Sequence, residues 1–276
     1  DDFFTLSTSL GFTLYEMEDY EAFTPTLGFS TGTARTFALT TTIARNSIDQ
    51  PMFPRSGSQI SLSAILTPPY SLFNNIDYET APRRVQFEWV EYHKWMFDAS
   101  FFQKVVGNLV FHARAHMGFL DTYSKKAPVG PFDRFMVGGD GLAGQGMFLL
   151  GYDIIGLRGY ENNAVTPPNW GFGGGDDRTN GGTIYNKYVF EMRYPVSLNP
   201  SATIFLLTFA EAGNNWWSAK EYNPFQLYRA SGFGARIFMP AFGLLGIDWG
   251  YGFDTLPGRT ERSGAQFHFS IGQQIR

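Results

Sequence analysis

Leu245-Gly246-Ile247-Asp248-Trp249-Gly250-Tyr251-Gly252-Phe253-Asp254 alternates without a break, with large apolar residues at odd positions and glycine or aspartate at even ones. In an extended chain successive side chains point to opposite faces, so this segment reads as a strand with one greasy face and one small or charged face. The second face is too polar for the core of a β-sandwich. A wall with lipid on one side and a polar interior on the other accommodates both.

The same rhythm recurs along the chain. Phe4, Leu6, Leu10, Phe12 and Leu14 alternate with Thr5, Ser7, Ser9, Gly11 and Thr13, and Phe37, Leu39, Thr41 and Ile43 alternate with Thr36, Ala38, Thr40 and Thr42. Ile60, Leu62, Ala64 and Leu66 oppose Gln59, Ser61 and Ser63. A fourth run, about Arg84 to Phe97, is less regular because Glu88, Glu91, His93 and Lys94 fall on both parities, which points to a bulge or to an extension beyond a membrane. Leu109 to Met117 follows, with His112, Arg114 and His116 on its polar side; then comes a run with Tyr188, Phe190, Met192 and Tyr194 outward and Lys187, Glu191 and Arg193 inward. Thr203 to Gly213, Gly232 to Met239, the opening stretch, and Gln266 to Ile275 with Phe267, Phe269 and Ile271 on one face bring the strands to ten.

Connector lengths alternate as well. Glu16–Ala34, Pro68–Arg83, Phe119–Gly182, Asn214–Phe225 and Thr255–Ser263 are long, whereas Ser47–Ser56, Ala99–Gln103, Pro195–Ala202 and Pro240-Ala241 are shorter. Long loops at one end and short turns at the other are the layout of an outer-membrane β-barrel. The reading is therefore all-β, a transmembrane antiparallel β-barrel.

Composition agrees with this. The chain has 28 Phe, 14 Tyr, 6 Trp and 31 Gly, as aromatic girdles and close strand packing require. No run approaches the roughly 18 apolar residues of a spanning helix, which is uninformative for a barrel whose strands expose only alternate residues to lipid. With no Cys there is no disulfide or thiolate chemistry, and a net charge of -4 with interspersed signs argues against nucleic acid as a partner. Asp1-Asp2 is no basic n-region, so the start is expected to be a cut edge and not a secretion leader.

The longest connector carries Phe132 to Asn163, which ends in Leu157-Arg158-Gly159-Tyr160 and includes Gly138-Gly139, Phe148-Leu149-Leu150, Ile154-Ile155 and Gly156. A connection of this length inside a compact chain usually has a function. This stretch resembles the sixth extracellular loop of the outer-membrane assembly family, the BamA-like barrels, whose [VL]-R-G-[FY] tip folds back into the barrel lumen. The segment Arg45-Asn46-Ser47-Ile48-Asp49-Gln50-Pro51-Met52-Phe53-Pro54-Arg55-Ser56-Gly57-Ser58 resembles that family's R/N-x-x-D-x-x-x-FP-x-x-G periplasmic turn, although an ordinary hairpin would look much the same. Gly264 to Gly272 is similar to a terminal β-signal.

The resemblance implies the last ten strands of a sixteen-stranded barrel, residues 1–276 being its C-terminal part, with a lumen-entering loop at 119–182 and the POTRA repeats outside this chain. It implies a bacterial (Gram-negative) outer-membrane location and the central role in the assembly machinery, folding and inserting client barrels through a lateral seam. The partners would be membrane lipids, client β-barrel proteins and accessory assembly lipoproteins; the alternative is a two-partner-secretion or other translocation pore of the same superfamily. It also pairs the tip Arg158 with Glu191 and Glu211, and makes Phe267, Phe269, Ile271 and Gly272 the terminal strand at the seam. Glu191 has inward parity on the strand reading too. Glu211 shares parity with Phe205, Leu207 and Phe209 and calls for a register shift. On the residues alone, Arg158 could equally be an exposed loop residue, and Gly272 either a weak point in the strand or a packing glycine.

Enzymatic readings fail on geometry, and no catalytic residue, cofactor or metal is expected. Gly28-Phe29-Ser30-Thr31-Gly32 fits G-x-S-x-G but leads into another strand, where a nucleophile elbow needs a helix. His112 and His116 would stand about 13 Å apart on a strand, too far to share a metal. Gly138-Gly139-Asp140-Gly141 and Gly173-Gly174-Gly175-Asp176-Asp177 lack the Gly-Lys-Ser/Thr of a phosphate loop; they read as flexible loop, with calcium at Asp176 and Asp177 the minor alternative.

Overall fold

Strands whose two faces differ this sharply need one face shielded from the other, and in the computed structural model ten of them build a single curved wall. The structure describes residues 2–19, 28–142, 151–167, 181–199, 201–240 and 243–271. The wall begins with β1 (Phe4–Met17), β2 (Gly32–Asn46), β3 (Ser56–Leu66), β4 (His93–Val106) and β5 (Leu109–Asp121). The long connection then contributes β6 (Phe135–Val137) and β7 (Asp153–Ile155), a parallel two-stranded ribbon of its own. The wall resumes with β8 (Ile184–Asn199), β9 (Ala202–Trp216), β10 (Tyr228–Met239), β11 (Gly243–Thr255) and β12 (Arg262–Ile271). Each of the ten pairs antiparallel with its neighbour in chain order, a meander with β1 and β12 at its edges.

Alternation sets the two faces. Phe267, Phe269 and Phe190 are 68%, 57% and 51% exposed on the convex side, whereas Asp248, Lys187 and Glu211 are 1%, 2% and 3% exposed on the concave side. Leu6, Leu10, Ile43, Leu62, Phe233 and Ile247 join the convex belt, an apolar surface far too continuous for an aqueous exterior. The dry core lies inside the curve and is supplied largely by the long connection: Phe132, Phe135, Met136, Val137, Ile155, Leu157 and Tyr160 pack against Leu120, Tyr185 and Ala230 of the wall. One connection reaches both edge strands. Phe132 packs on Tyr15 of β1 with ring centroids 4.8 Å apart, and Gly159 donates its N–H to His268 of β12 at 2.8 Å, so the wall curls around the loop.

Three expectations are corrected. The fourth strand is β4, not Arg84–Phe97: Arg83–Gln86 is a short helix, α1, and the strand runs on through Ala99–Gln103 to a two-residue turn at Gly107-Asn108. Glu88 and Glu91, which blurred its parity, lie before the strand begins at His93. Pro195–Ala202 is not a turn, because β8 continues to Asn199 through a bulge between Pro195 and Ser197. Glu211 needs no register shift. Phe205, Leu207 and Phe209 face inward with it, all buried, while Leu206 on the opposite parity is 50% exposed.

At the end of the short turns, the Asp49 carboxylate accepts the N–H of Arg55 (2.8 Å) and of Ser56 (3.2 Å), closing the turn that brings Phe53 back under the wall. Phe53 is buried in a cluster with Val110, Phe205, Leu207 and Phe209. Gly28–Gly32 leads into β2 with no helix after it. The runs Phe148–Leu150, Gly173–Asp177 and Gly272 onward lie outside the described residues.

Candidate functional site

The loop tip sits where the register of five strands converges. Inward parity places Glu191 on β8, Glu211 on β9, Arg236 on β10, Asp248 on β11 and His268 on β12. Glycine spacing makes room for the charges: Gly246 lies opposite Arg236 and Gly234 opposite Asp248, so the long guanidinium crosses diagonally to the carboxylate. A Cβ on Gly246 would stand 3.1 Å from the Arg236 guanidinium carbon.

Arg158 is 1% exposed and spends its fork on three carboxylates. Its Nε donates to Glu211 Oε1 at 2.8 Å, its Nη2 to Glu191 Oε1 at 2.7 Å and to Glu211 Oε1 at 2.5 Å, and its Nη1 to Asp248 Oδ1 at 3.4 Å. The Arg158 backbone N–H adds a bond to Glu211 Oε2 at 2.9 Å. The guanidinium carbon also lies 3.6 Å from the centre of the Phe209 ring, which explains why an aromatic shares the parity of Glu211. Burial alone would weaken the charge; Glu211, Glu191 and Asp248 reverse that and raise the pKa above the ordinary arginine value. A buried ion is tolerated only with such pairing, because unpaired it costs several kcal/mol.

Each carboxylate has a further cation. Glu191 accepts from Arg193 Nε at 2.7 Å and faces His112 Nδ1 at 3.2 Å, Asp248 is held bidentately by Arg236 at 2.9 and 2.8 Å, and Lys187 lies 3.7 Å from Glu211. The result is a network of three further cations and three carboxylates around one loop residue. A small space of about 50 Å³ adjoins it, room for a few waters.

The rest of the tip is fixed as closely. Gly159 has φ +86, a left-handed conformation that favours glycine, and a Cβ there would stand 2.8 Å from Ala230 Cβ and 2.9 Å from Gly252 N. Its N–H donates to His268 Nε2 at 2.8 Å and its carbonyl accepts from Ser263 Oγ at 2.7 Å, both on β12. Tyr160 Oη donates to the Arg229 carbonyl of β10 at 2.8 Å, and Leu157 is fully buried, its N–H donating to the Gly139 carbonyl at 3.0 Å. Four residues thus touch five consecutive strands.

The loop has a second anchor near its root. Lys94 of β4, 2% exposed, reaches Asp153 Oδ2 at 2.7 Å and the Asp133 carbonyl at 2.6 Å. Burial pushes the Asp133 carboxyl up to about 6, against the pull of Lys94 and Tyr92.

The structure brings Leu157, Arg158, Gly159, Tyr160, Glu191 and Glu211 together. Phe267, Phe269 and Ile271 lie apart on the convex face, and Gly272 is outside the described residues. Asp248, Arg236 and His268 were missed as site residues, although their alternation already marked them as inward. His112 and His116 do not meet on a common ligand: His112 faces Glu191, and His116 Nε2 meets Tyr185 Oη at 2.8 Å. Among the described residues no group of three His, Cys, Asp or Glu is placed to hold a metal ion.

The sequence family described as "Omp85 superfamily domain" matches residues 5–275. Among solved structures the fold is similar to one described as "The crystal structure of BamA from Haemophilus ducreyi lacking POTRA domains 1-3", with a TM-score of 0.64 and 15% sequence identity, covering 97% of this chain and 51% of that one. The chain thus spans about half the length of that relative. No curated protein matches.

Proposed function

This chain belongs to the Omp85 superfamily, and from that premise we propose that it is barrel wall of an outer-membrane assembly protein, one that folds and inserts client β-barrel proteins into a bacterial outer membrane. The observation that carries the reading is the docked tip: Arg158, 1% exposed, bonded to carboxylates on β8, β9 and β11 inside a wall whose outer face is continuously apolar. That outer face is matched to lipid, which makes membrane lipids the first partner.

The work proposed is template-directed and not bond chemistry. On this reading the seam lies at the edge of β12 away from β11. In hydrocarbon an unpaired edge costs several kcal/mol per lost group, so a client strand that adds to it by main-chain hydrogen bonding lowers its own insertion barrier. Accessory lipoproteins would act outside this segment.

Depletion of the full-length protein, followed by measurement of total outer-membrane barrels, tests the proposal. Barrel levels should fall, and Arg158→Ala should fail to restore them. Unchanged barrels with loss of one secreted partner would overturn the assembly reading in favour of secretion.

A further inference from the structure

The tip's bonds to β12 differ in kind from its bonds to the other strands. β8, β9 and β11 meet the Arg158 side chain through carboxylates and β10 meets the Tyr160 hydroxyl, whereas β12 is tied to the backbone of the tip itself. Two such bonds exist: the Gly159 N–H donates to His268 Nε2, and Ser263 Oγ donates to the Gly159 carbonyl, so a single peptide unit on either side of Gly159 is gripped by residues five apart on β12. His268 is 5% exposed and pairs in register with Asp248, the carboxylate bonded to Arg158.

Glycine makes the approach possible. Gly250 and Gly252 on β11 present bare backbone to the tip, and a Cβ on Gly250 would stand 2.8 Å from Gly159 N. The tip crosses β11 along this bare track and reaches the imidazole of the next strand.

We propose that His268 is a positioning residue that couples the loop tip to the terminal strand, so that the docked tip holds β12 in register and release of the tip frees it. This rests on the assembly reading for its biological meaning, since β12 carries the edge offered to a client strand, but the coupling is a property of the chain itself. The chemistry needs an unprotonated Nε2, with the ring proton on Nδ1, because only that tautomer accepts from Gly159. Ser263 is the auxiliary contact.

The test is amide hydrogen exchange on the full-length protein in lipid nanodiscs, followed in peptides covering the tip (157–160) and β12 (262–271). His268→Phe keeps a buried ring and removes the acceptor; it should accelerate exchange in both peptides, by roughly 5- to 150-fold at the tip, the range for leaving a buried donor unmade. His268→Gln, which offers a side-chain oxygen, should recover most of the protection. Faster exchange at the tip alone, or equal behaviour of the Phe and Gln variants, would overturn the coupling. If His268→Phe fails to fold, Ser263→Ala gives the smaller version of the same paired change, and its absence in β12 would likewise refute the proposal. Faster exchange in both peptides of His268→Phe together with normal client assembly would leave the coupling standing and instead sink the assembly reading.

Discussion

The pair Arg158–Glu211 offers the sharpest quantitative test. Glu211 accepts three bonds from Arg158, and after Arg158→Ala it would keep the backbone donor and Lys187 at 3.7 Å. Removing one partner of a buried pair costs about 3–5 kcal/mol. Here the lower end applies, because Glu191 retains Arg193 and Asp248 retains Arg236. About 3 kcal/mol corresponds to a fall of roughly 6–12 °C in the unfolding midpoint for a domain of this size. Glu211→Ala should cost a similar amount, leaving Arg158 with Glu191 and a distant Asp248. The double variant removes both members and strands neither, so it should recover about 2 kcal/mol or more relative to the sum of the singles. Heat-modifiable migration of the full-length protein on semi-native gels, scanned against temperature, measures all four corners. Additivity within about 0.5 kcal/mol would show that the two groups do not depend on each other, and the argument for a paired buried charge would fail.

Three further outcomes follow from other parts of the fold. Phe233→Lys, on the convex face where Phe233 is 57% exposed, should cost about 2–4 kcal/mol in a lipid bilayer; a change within about 0.5 kcal/mol would mean that the face is wet. Gly159→Ala combines a left-handed backbone with a Cβ 2.8 Å from Ala230 and should undock the tip, read as protease cleavage between 157 and 160; continued resistance would refute the close-contact argument. Asp133, lifted by burial to about 6 from an ordinary value near 3.8, binds its proton more tightly when folded. Its contribution is therefore fully present below about pH 4 and falls as pH rises through about 6, and Asp133→Asn should flatten loop-root protease resistance across that window. Asparagine also tolerates the φ of +58 found there.

Period-two alternation made most of the wall legible, because a strand between lipid and a polar interior must differ on its two faces. It failed where the interior is itself dry. Phe205, Leu207 and Phe209 face inward because Phe53 and the Arg158 guanidinium pack on them, and local sequence carries no sign of a partner more than 40 residues away. The run read as the fourth strand was irregular for another reason: its first half is a short helix and connector, and the strand begins only at His93. The ribbon of β6 and β7 left no trace, since three-residue strands are too short to show a period. At the tip, Arg158, Glu191 and Glu211 emerged from a likeness to known sequences. Asp248 and Arg236 needed only the question of which inward charges oppose glycine, whereas His268 required the register itself.

The wall residues that bond Arg158 and Gly159 all come later in the chain, by 33 residues for Glu191, 53 for Glu211, 90 for Asp248 and 109 for His268. Each adds loop-closure entropy before it returns any binding. A polypeptide that has emerged only as far as β9 can satisfy two of the three carboxylate contacts and neither bond to β12. Full docking of Arg158 and Gly159 therefore requires the wall through β12: a chain truncated after β9 would lack one carboxylate of the three and both bonds to β12, and would differ from a finished one by that defect.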